Sequence, residues 1–350
     1  MRGVAPLLRR HDKIAGLVQP TFAAMRLLHR LAVALPLALG LSAAATAQDW
    51  PAPARPIQLI VPAPGGSGTG DTIARVLAEE LGKRLKTTFV IDNKAGANGN
   101  IGAAAAAKEP ADGYHFLFSW AGTLAVSRAL YKAPGFDALQ DFAPVLLVAD
   151  VPNILVVNNE LPARDLAEFT RYAQANPGKL SYGSTGIGSS MHLAGELFSR
   201  EAGARMLHVP YNSPGQATTN LIAGDLQLMF QLVPGIAGQV KGGKVRALAV
   251  MAGQRSPALP DVPTTVELGQ PRLLSSTWFA VLAPKGTPAA VVERLNAAAN
   301  EVLADAGVRR RLSEMGATPL GGTPRQLAEH LAAETEKWAQ VVREAKIQAQ

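Results

Sequence analysis

The alternation of short apolar runs with amphipathic helical patterns is the feature that most constrains the fold of this chain. Strands are predicted at Ile57–Val61 and at 88–92, 115–119, 153–157, 179–182, 206–209, 226–230, 245–250 and 278–282. Helices are predicted at 71–85, 101–108, 124–130, 165–175, 191–201, 217–223, 288–304 and 324–347. Such alternation is typical of parallel α/β layers. Because the pattern starts afresh near residue 150, two α/β domains are predicted.

Residues 1–47 are predicted to be a secretory signal peptide. A short basic stretch at 25–30 precedes an apolar core at 31–41, and Ala45 and Ala47 place small residues before a cleavage site after Ala47. Met25 opens a signal of ordinary length and is predicted to be the true start. The apolar core is too short to span a bilayer, although a retained membrane anchor is the alternative. We therefore expect an exported protein of the periplasm.

Charge and cysteine content exclude several functional classes. The net charge of +7 arises from 34 basic and 27 acidic residues, but six of the basic and one of the acidic residues lie in 1–47. The nearly neutral remainder argues against a nucleic-acid partner. The chain has no cysteine, which excludes disulfides and thiolate metal sites. The four histidines after residue 47 lack metal-binding spacing, so we predict no metal and no cofactor.

A glycine-rich loop follows the first predicted strand, with the sequence VPAPGGSGTGD at 61–71. It lacks the lysine of a phosphate-binding loop and the glycine spacing of a dinucleotide site. Glycines that expose backbone N–H groups before a helix N-terminus nevertheless suit a small anion. Asp71 is predicted to cap the helix, and Ser67 and Thr69 add hydroxyl donors. The alternative for this loop alone is a plain strand–helix turn.

Three further loops share this chemistry, at 119–123, 181–190 and 211–216. None of the four loops contains lysine or arginine. A bound carboxylate would therefore be held by neutral hydrogen-bond donors and helix dipoles, and many donors would have to converge on it. Because the loops are spread over both halves of the chain, they predict a ligand clamped between two domains.

An enzymatic alternative involves His192, which lies two residues after Ser190 and could act as a general base for a nucleophilic serine. The chain has neither a G-x-S-x-G elbow nor an S-x-x-K motif, and a helix N-terminus disfavours a protonated imidazole. An exported hydrolase acting on a small acid therefore stays as the alternative. We predict that the protein is not an enzyme.

Short segments spread over the mature chain have a characteristic order and spacing. They lie at 61–66, 98–102, 112–118, 129–132, 141–145, 192–198, 208–211, 245–250 and 255–264. In this order they resemble the Bug family of periplasmic solute receptors, the binding components of tripartite tricarboxylate transporters. No single segment is specific, whereas the whole series is.

The resemblance implies a two-domain periplasmic-binding-protein fold of the Venus-flytrap, type II-like class, with two crossover strands. Domain one would comprise 49–150 plus 276–350, domain two would comprise 151–275, and the ligand cleft would lie between them. It also implies a monomeric receptor that closes on a small organic carboxylate and passes it to membrane transporter subunits made of other chains. The alternative with the same fold is a carboxylate sensor partner of a membrane receptor.

Ligand-binding residues are predicted from the loops that match the family's binding loops. They are Gly65, Gly66, Ser67, Gly68, Thr69, Asp71, Gly122, Thr123, Ser184, Thr185, Gly186, Ser189, Ser190, Asn212, Ser213 and Gln231. The chain departs from the family pattern in a first loop that is one residue longer, in Lys94-Ala95 and in Gln231-Leu232. Because neutral Gln231 cannot pair with an ammonium group, an amino-acid ligand is disfavoured.

Overall fold

The computed structural model describes residues 50–52, 54–66 and 68–344, so the predicted signal peptide and Ser67 lie outside the described residues. The strands are β1 (Ile57–Val61), β2 (Phe89–Asn93), β3 (His115–Trp120), β4 (Phe142–Val157), β5 (Ser181–Ser184), β6 (Leu207–Pro210), β7 (Leu228–Leu232), β8 (Arg246–Val250), β9 (Ser276–Pro284) and β10 (Thr318–Gly321). The helices are α1 (Gly68–Leu85), α2 (Asn100–Ala106), α3 (Ser127–Leu130), α4 (Leu166–Ala175), α5 (Ser190–Ala202), α6 (Pro214–Ala223), α7 (Val233–Lys241), α8 (Ala289–Ala304), α9 (Ala306–Glu314) and α10 (Pro324–Glu344). In this part of the chain, no helix combines the length and the apolar composition needed to cross a membrane.

The strands form one mixed sheet in the order β2-β1-β3-β9-β4-β7-β5-β6, with β10 and β8 also pairing with β4. We call β2, β1, β3, β9, β10 and residues 142–152 of β4 the first half, and residues 153–157 of β4 with β7, β8, β5 and β6 the second half. Helices and loops are assigned to the half whose strands they connect. Pairing is parallel among β1, β2 and β3 and among β5, β6 and β7. It is antiparallel wherever β4 or β9 takes part, so the sheet is mixed rather than purely parallel.

The two halves join at Asn153, where β4 changes partners. β4 pairs with β9 as far as Pro152 and with β7 from Asn153 onward. The Asn153 side chain donates to the Phe230 carbonyl at 2.9 Å and accepts from the Ser275 hydroxyl at 3.0 Å. Its backbone carbonyl accepts from the Met251 N–H at 2.8 Å. Asn153 is therefore tied to every chain segment that passes between the halves at this point.

Helices cover both faces of each half, because each helix has a stripe of apolar side chains that packs against the apolar side chains of the sheet. On α1, Ile73, Leu77 and Leu81 recur at helical spacing and are fully buried against one face of the first half, together with α8 and α9. The other face packs against α2 and α10. In the second half, α4 and α5 cover one face, and α6 and α7 cover the other. Each half therefore has an apolar core on both sides, as the predicted α/β class requires.

The predicted elements are confirmed, and apart from the start of β4 their boundaries lie within three residues of those observed. The sequence pattern does not predict α7, α9, β10 or residues 142–152 of β4. The β4 segment contains Pro144, which sits at an irregularity in the pairing with β9 and so does not interrupt the strand. The predicted N-cap role of Asp71 is wrong. Because α1 already begins at Gly68, Asp71 lies inside its first turn.

Candidate functional site

A cavity of about 530 Å³ lies where loops from both halves of the sheet meet. Its walls come from the segments after the carboxyl ends of β1, β2, β5 and β6 and from the ends of β3 and β7. The lining residues are Pro62, Ala63, Pro64, Gly68, Thr69, Gly70, Ala95, Gly96, Ala97, Asn98, Gly99, Trp120, Tyr131, Thr185, Gly186, Ser189, Ser190, Met191, Pro210, Tyr211, Asn212, Pro214, Gln231, Leu232, Thr277 and Phe279. In α/β proteins, ligands bind at such carboxyl ends of parallel strands.

The cavity wall combines polar and apolar groups but carries no charged side chain among its described residues. Its described lining residues include no Asp, Glu, Lys, Arg or His. Helices α1, α5, α6 and α7 begin at its wall, at Gly68, at Ser190, at Pro214 and directly after Leu232. Helix N-termini carry exposed N–H groups and a partial positive charge. The arrangement therefore attracts an anion through dipoles rather than through ion pairs.

Three residues that line the cavity each have a buried polar atom without a hydrogen-bond partner within the described part of the chain: Gln231 Nε2, Asn98 Nδ2 and Thr277 Oγ1. Gln231 and Thr277 are each 2% exposed. The orientation of the Gln231 amide is fixed because its Oε1 accepts the Leu232 N–H at 2.9 Å, which leaves the NH₂ group as the donor. Buried polar groups are nearly always bonded, so these three groups are suited to a ligand that presents acceptor oxygens.

Asn98 belongs to a loop with unusual backbone geometry. Ala97 and Asn98 have φ values of 48° and 52°, a left-handed conformation that costs energy in residues other than glycine. The Thr123 hydroxyl donates to the Asn98 carbonyl at 2.8 Å and holds the loop in place. Thr123 does not line the cavity, so it supports a lining residue instead.

Aromatic and sulfur-containing side chains form the apolar wall. Trp120 from β3 and Phe279 from β9 meet edge to face, with ring centroids 6.2 Å apart. Tyr131, Tyr211 and Met191 complete this wall. Small-molecule sites combine such apolar surfaces with a few placed polar groups. The cavity thus suits a ligand that has a carbon body and at least one acceptor-rich end.

Two histidines, the buried His192 and the partly buried His208, contact the Ser184–Ser190 loop. Ser184 Oγ lies 2.6 Å from His208 Nε2, and His192 Nδ1 accepts the Gly188 N–H at 3.2 Å. Burial lowers the pKa of His192 to about 4, and burial together with the neighbouring His192 lowers the pKa of His208 to about 4. Both imidazoles are therefore neutral near pH 7, and neither lines the cavity. This geometry disfavours His192 as a base for Ser190, because its Nδ1 is already occupied.

Asp71 stabilises the first loop from inside the protein. Its carboxylate accepts from Arg75 at 2.7 Å, from Asn93 at 2.8 Å and from the Gly66 N–H at 2.9 Å. Burial alone would raise the pKa of this carboxyl, but these hydrogen bonds outweigh burial and the pKa lies below its ordinary value. The negative charge of Asp71 is compensated locally and is kept away from the cavity.

The predicted ligand-binding residues fall into two groups. Gly68, Thr69, Thr185, Gly186, Ser189, Ser190, Asn212 and Gln231 line the cavity, whereas Gly65, Gly66, Asp71, Gly122, Thr123, Ser184 and Ser213 do not. Gly122 packs so closely on the Gly188 carbonyl that a Cβ would lie 3.1 Å from the oxygen. Ser213 caps α6 by accepting the Gly215 N–H at 3.2 Å. Among the lining residues, the loop pattern missed Asn98, Tyr131, Thr277 and Phe279.

A larger cavity of about 1150 Å³ lies across β9 from the first. Thr277 and Phe279 face the smaller cavity, whereas Ser276 and Trp278 face the larger one, as alternation along a strand dictates. Charged side chains at the larger cavity have partners: Lys337, for example, bonds to Glu334 at 2.6 Å. Of its lining residues, none belongs to the predicted loops. The smaller cavity is therefore the candidate ligand site.

The sequence model of the tripartite tricarboxylate transporter family receptor matches residues 73–347. This chain belongs to that family. The protein BugT of Bordetella pertussis is 40% identical over 306 residues, which cover 87% of this chain and 93% of BugT. The family resemblance that the sequence segments suggested is thereby confirmed.

Solved structures show that this receptor has the fold of a periplasmic binding protein. The periplasmic binding protein BugD is 33% identical and superimposes with a TM-score of 0.79 over 85% of this chain and 99% of BugD. Rpa4515 of R. palustris, solved with adipate, is 37% identical with a TM-score of 0.82, over 86% of this chain and all of that chain. The predicted fold class is confirmed, and the receptor is a periplasmic solute-binding protein. Among its described residues, no group of three or more His, Asp or Glu side chains is placed to hold a metal ion.

Proposed function

We propose that this receptor binds a small organic carboxylate in the 530 Å³ cavity and closes two domains around it. The observation that carries the proposal is the set of unpartnered donors, Gln231 Nε2, Asn98 Nδ2 and Thr277 Oγ1, in a wall without charged side chains. Donors that converge on one anion compensate the loss of its hydration. The helix N-termini at the wall add to this effect.

The proposed domains are 49–150 plus 276–350 and 151–275. The division follows the two halves of the sheet, whose connections pass Asn153 and Ser275. Lining residues come from both halves, for example Thr69 from the first and Ser190 from the second. Only closure brings both sets of donors to one ligand, and ligands shift such equilibria by their differential contacts.

The proposed ligand class rests on charge and on relatives. An ammonium group would find no acidic partner among the described lining residues, which disfavours an amino acid. Rpa4515, which is 37% identical, was solved with adipate, a carboxylate. We therefore infer a carboxylate that is held by hydroxyl, amide and backbone N–H donors, including those of Thr69 and Ser190.

The proposed cellular role follows from the family description. As a member of a transporter receptor family, this receptor would deliver its ligand to membrane transporter subunits made of other chains. We also propose that it acts as a monomer and has no enzymatic activity. It would be exported by a signal peptide that starts at Met25 and is cleaved after Ala47. Sequencing the N-terminus of the exported protein is expected to give Gln48, and a start upstream of Met25 would contradict the signal assignment.

A thermal-shift screen tests the ligand class. Residues 48–350 are unfolded and refolded to remove any bound acid, then titrated with adipate, malate, citrate, aspartate and benzoate. A ligand that binds only the native state raises Tm, so a saturable shift with one or more of the acids other than aspartate is expected. Recovery of the acid unchanged would separate a receptor from a hydrolase. Absence of any shift, or turnover of the acid, would overturn the proposal.

A further inference from the structure

Two tyrosines line the ligand cavity, and their hydroxyl groups have different partners. The Tyr211 hydroxyl accepts from Asn220 Nδ2 at 3.0 Å, and both residues lie between β6 and β7. The Tyr131 hydroxyl donates to the Ile187 carbonyl at 3.2 Å. Tyr131 follows α3, between β3 and β4, whereas Ile187 lies between β5 and α5. Only the Tyr131 hydrogen bond therefore crosses from the first half to the second.

The surroundings of this hydrogen bond are apolar and tightly packed. Val126 and Leu130 from the first half pack with Leu193 of α5, and Tyr131 and Ile187 lie at the edge of this cluster. At Gly188, an added Cβ would come within 2.3 Å of Leu130 Cδ1. The two halves are thus complementary in shape directly beside the Tyr131 hydroxyl.

We propose that Tyr131 is a positioning residue that couples ligand occupancy to closure, an inference that rests on the proposed function. Its ring is part of the cavity wall, while its hydroxyl holds the loop that carries Gly186, Ser189 and Ser190. Tyr131 thereby keeps the donors of the second half over the ligand. Because the bond to Ile187 exists only when the halves are together, it stabilises the closed state and slows ligand release.

The test compares Tyr131→Phe with Tyr211→Phe. Both substitutions remove one hydroxyl and keep an aromatic ring at the cavity wall, but only the first breaks a bond between the halves. Tyr131→Phe is expected to raise Kd about 2- to 10-fold, mainly through faster dissociation, which is the effect of losing one neutral hydrogen bond. The measurement is stopped-flow tryptophan fluorescence with adipate and malate, alongside thermal unfolding without ligand.

The outcomes separate this inference from the proposed function. A positioning role predicts the same fold-change for every acid that binds, whereas a direct contact with the ligand would change the acids' ranking. If the wild-type receptor binds acids and Tyr131→Phe releases them at the wild-type rate, the inference is overturned and the proposed function stands. A changed ranking would overturn it equally. If the wild-type receptor binds none of the acids in the screen, both the inference about Tyr131 and the proposed function are overturned.

A second variant probes the same contact from the other half. Gly188→Ala is expected to weaken binding more than 10-fold, because its Cβ would strike Leu130 when the halves close. Gly203→Ala is the matched control, since Gly203 also has a positive φ but has open space around the Cβ position. Wild-type affinity in Gly188→Ala would contradict the proposed contact. Weakening that is equal in both variants would assign the effect to backbone strain instead.

Discussion

Acidification is expected to destabilise this receptor through His192 and His208, the two histidines that contact the Ser184–Ser190 loop. His192 is 5% exposed, and its ring centroid lies 4.2 Å from that of His208. Burial lowers the pKa of His192 from 6.5 to about 4, and the pKa of His208 falls in the same direction. Protonation of either side chain therefore destabilises the folded state relative to the unfolded chain.

The direction of this pH effect follows from the pKa of His192, which is lower in the folded protein than in the unfolded chain. As the pH falls below about 6.5, the unfolded chain binds a proton at His192 before the folded chain does. His192 therefore does not lower the free energy of unfolding above pH 6.5, and lowers it progressively as the pH falls towards 4. At about 1.4 kcal/mol for each pKa unit, acidification from pH 7.5 to pH 5 costs roughly 2 kcal/mol for His192. His208 adds a contribution of the same sign.

Urea unfolding of the wild type and of His192→Asn at pH 7.5 and pH 5 measures this contribution. An asparagine oxygen can still accept the Gly188 N–H but does not titrate. The wild type is expected to lose about 2 kcal/mol more free energy of unfolding than the variant between the two pH values. Groups other than these two histidines contribute alike to both proteins, and the loss of the His192 effect on the pKa of His208 changes the difference in the same direction. The reasoning would be refuted by the same pH dependence in the wild type and the variant.

Three further predictions concern the first loop and the cavity wall. Asp71→Asn should lower the free energy of unfolding at pH 7 by about 1–3 kcal/mol, because the hydrogen bonds from Arg75 lose their charge assistance. Since the folded pKa of Asp71 is depressed, the difference from the wild type in urea unfolding should shrink as the pH falls through that pKa. Gln231→Leu keeps the side-chain volume but removes the unpartnered donor, and calorimetry should show a Kd about 10- to 100-fold higher. Thr69→Ala and Ser190→Ala should each weaken binding by about 1–3 kcal/mol with little change in Tm, and wild-type affinity in both would contradict their role as donors.

The local pattern of apolar residues was sufficient to predict most of the helices and strands. Apolar residues at helical spacing identify α1, and β1 was predicted with its observed boundaries. The elements that were missed carry residues that usually mark turns. Pro234 and Gly235 are the second and third residues of α7. They are compatible with a helix start because proline lacks only an N–H that the first turn leaves unbonded. Sequence alone also could not show that β4 continues through both halves.

The candidate site was only partly predictable, because its walls depend on sheet register. Glycine, serine and threonine after a strand identify Thr69 and Ser190 correctly as lining residues. Thr277 and Phe279 belong to β9, whose two faces border different cavities, and the face of a strand residue follows from pairing rather than from local sequence. Conversely, Ser184 resembles a donor but lies against His208, a contact between residues far apart in the chain.

The pinned junction at Asn153 has a mechanical consequence. If the halves rotate about this point, each strand is displaced in proportion to its distance from Asn153. The end strands of the sheet, β2 and β6, then sweep the longest arcs. Both expose an apolar side chain, Val90 with 46% and Leu207 with 55% of its surface accessible. A partner protein that contacted both of these strands would therefore detect a small rotation through the largest displacement within the sheet.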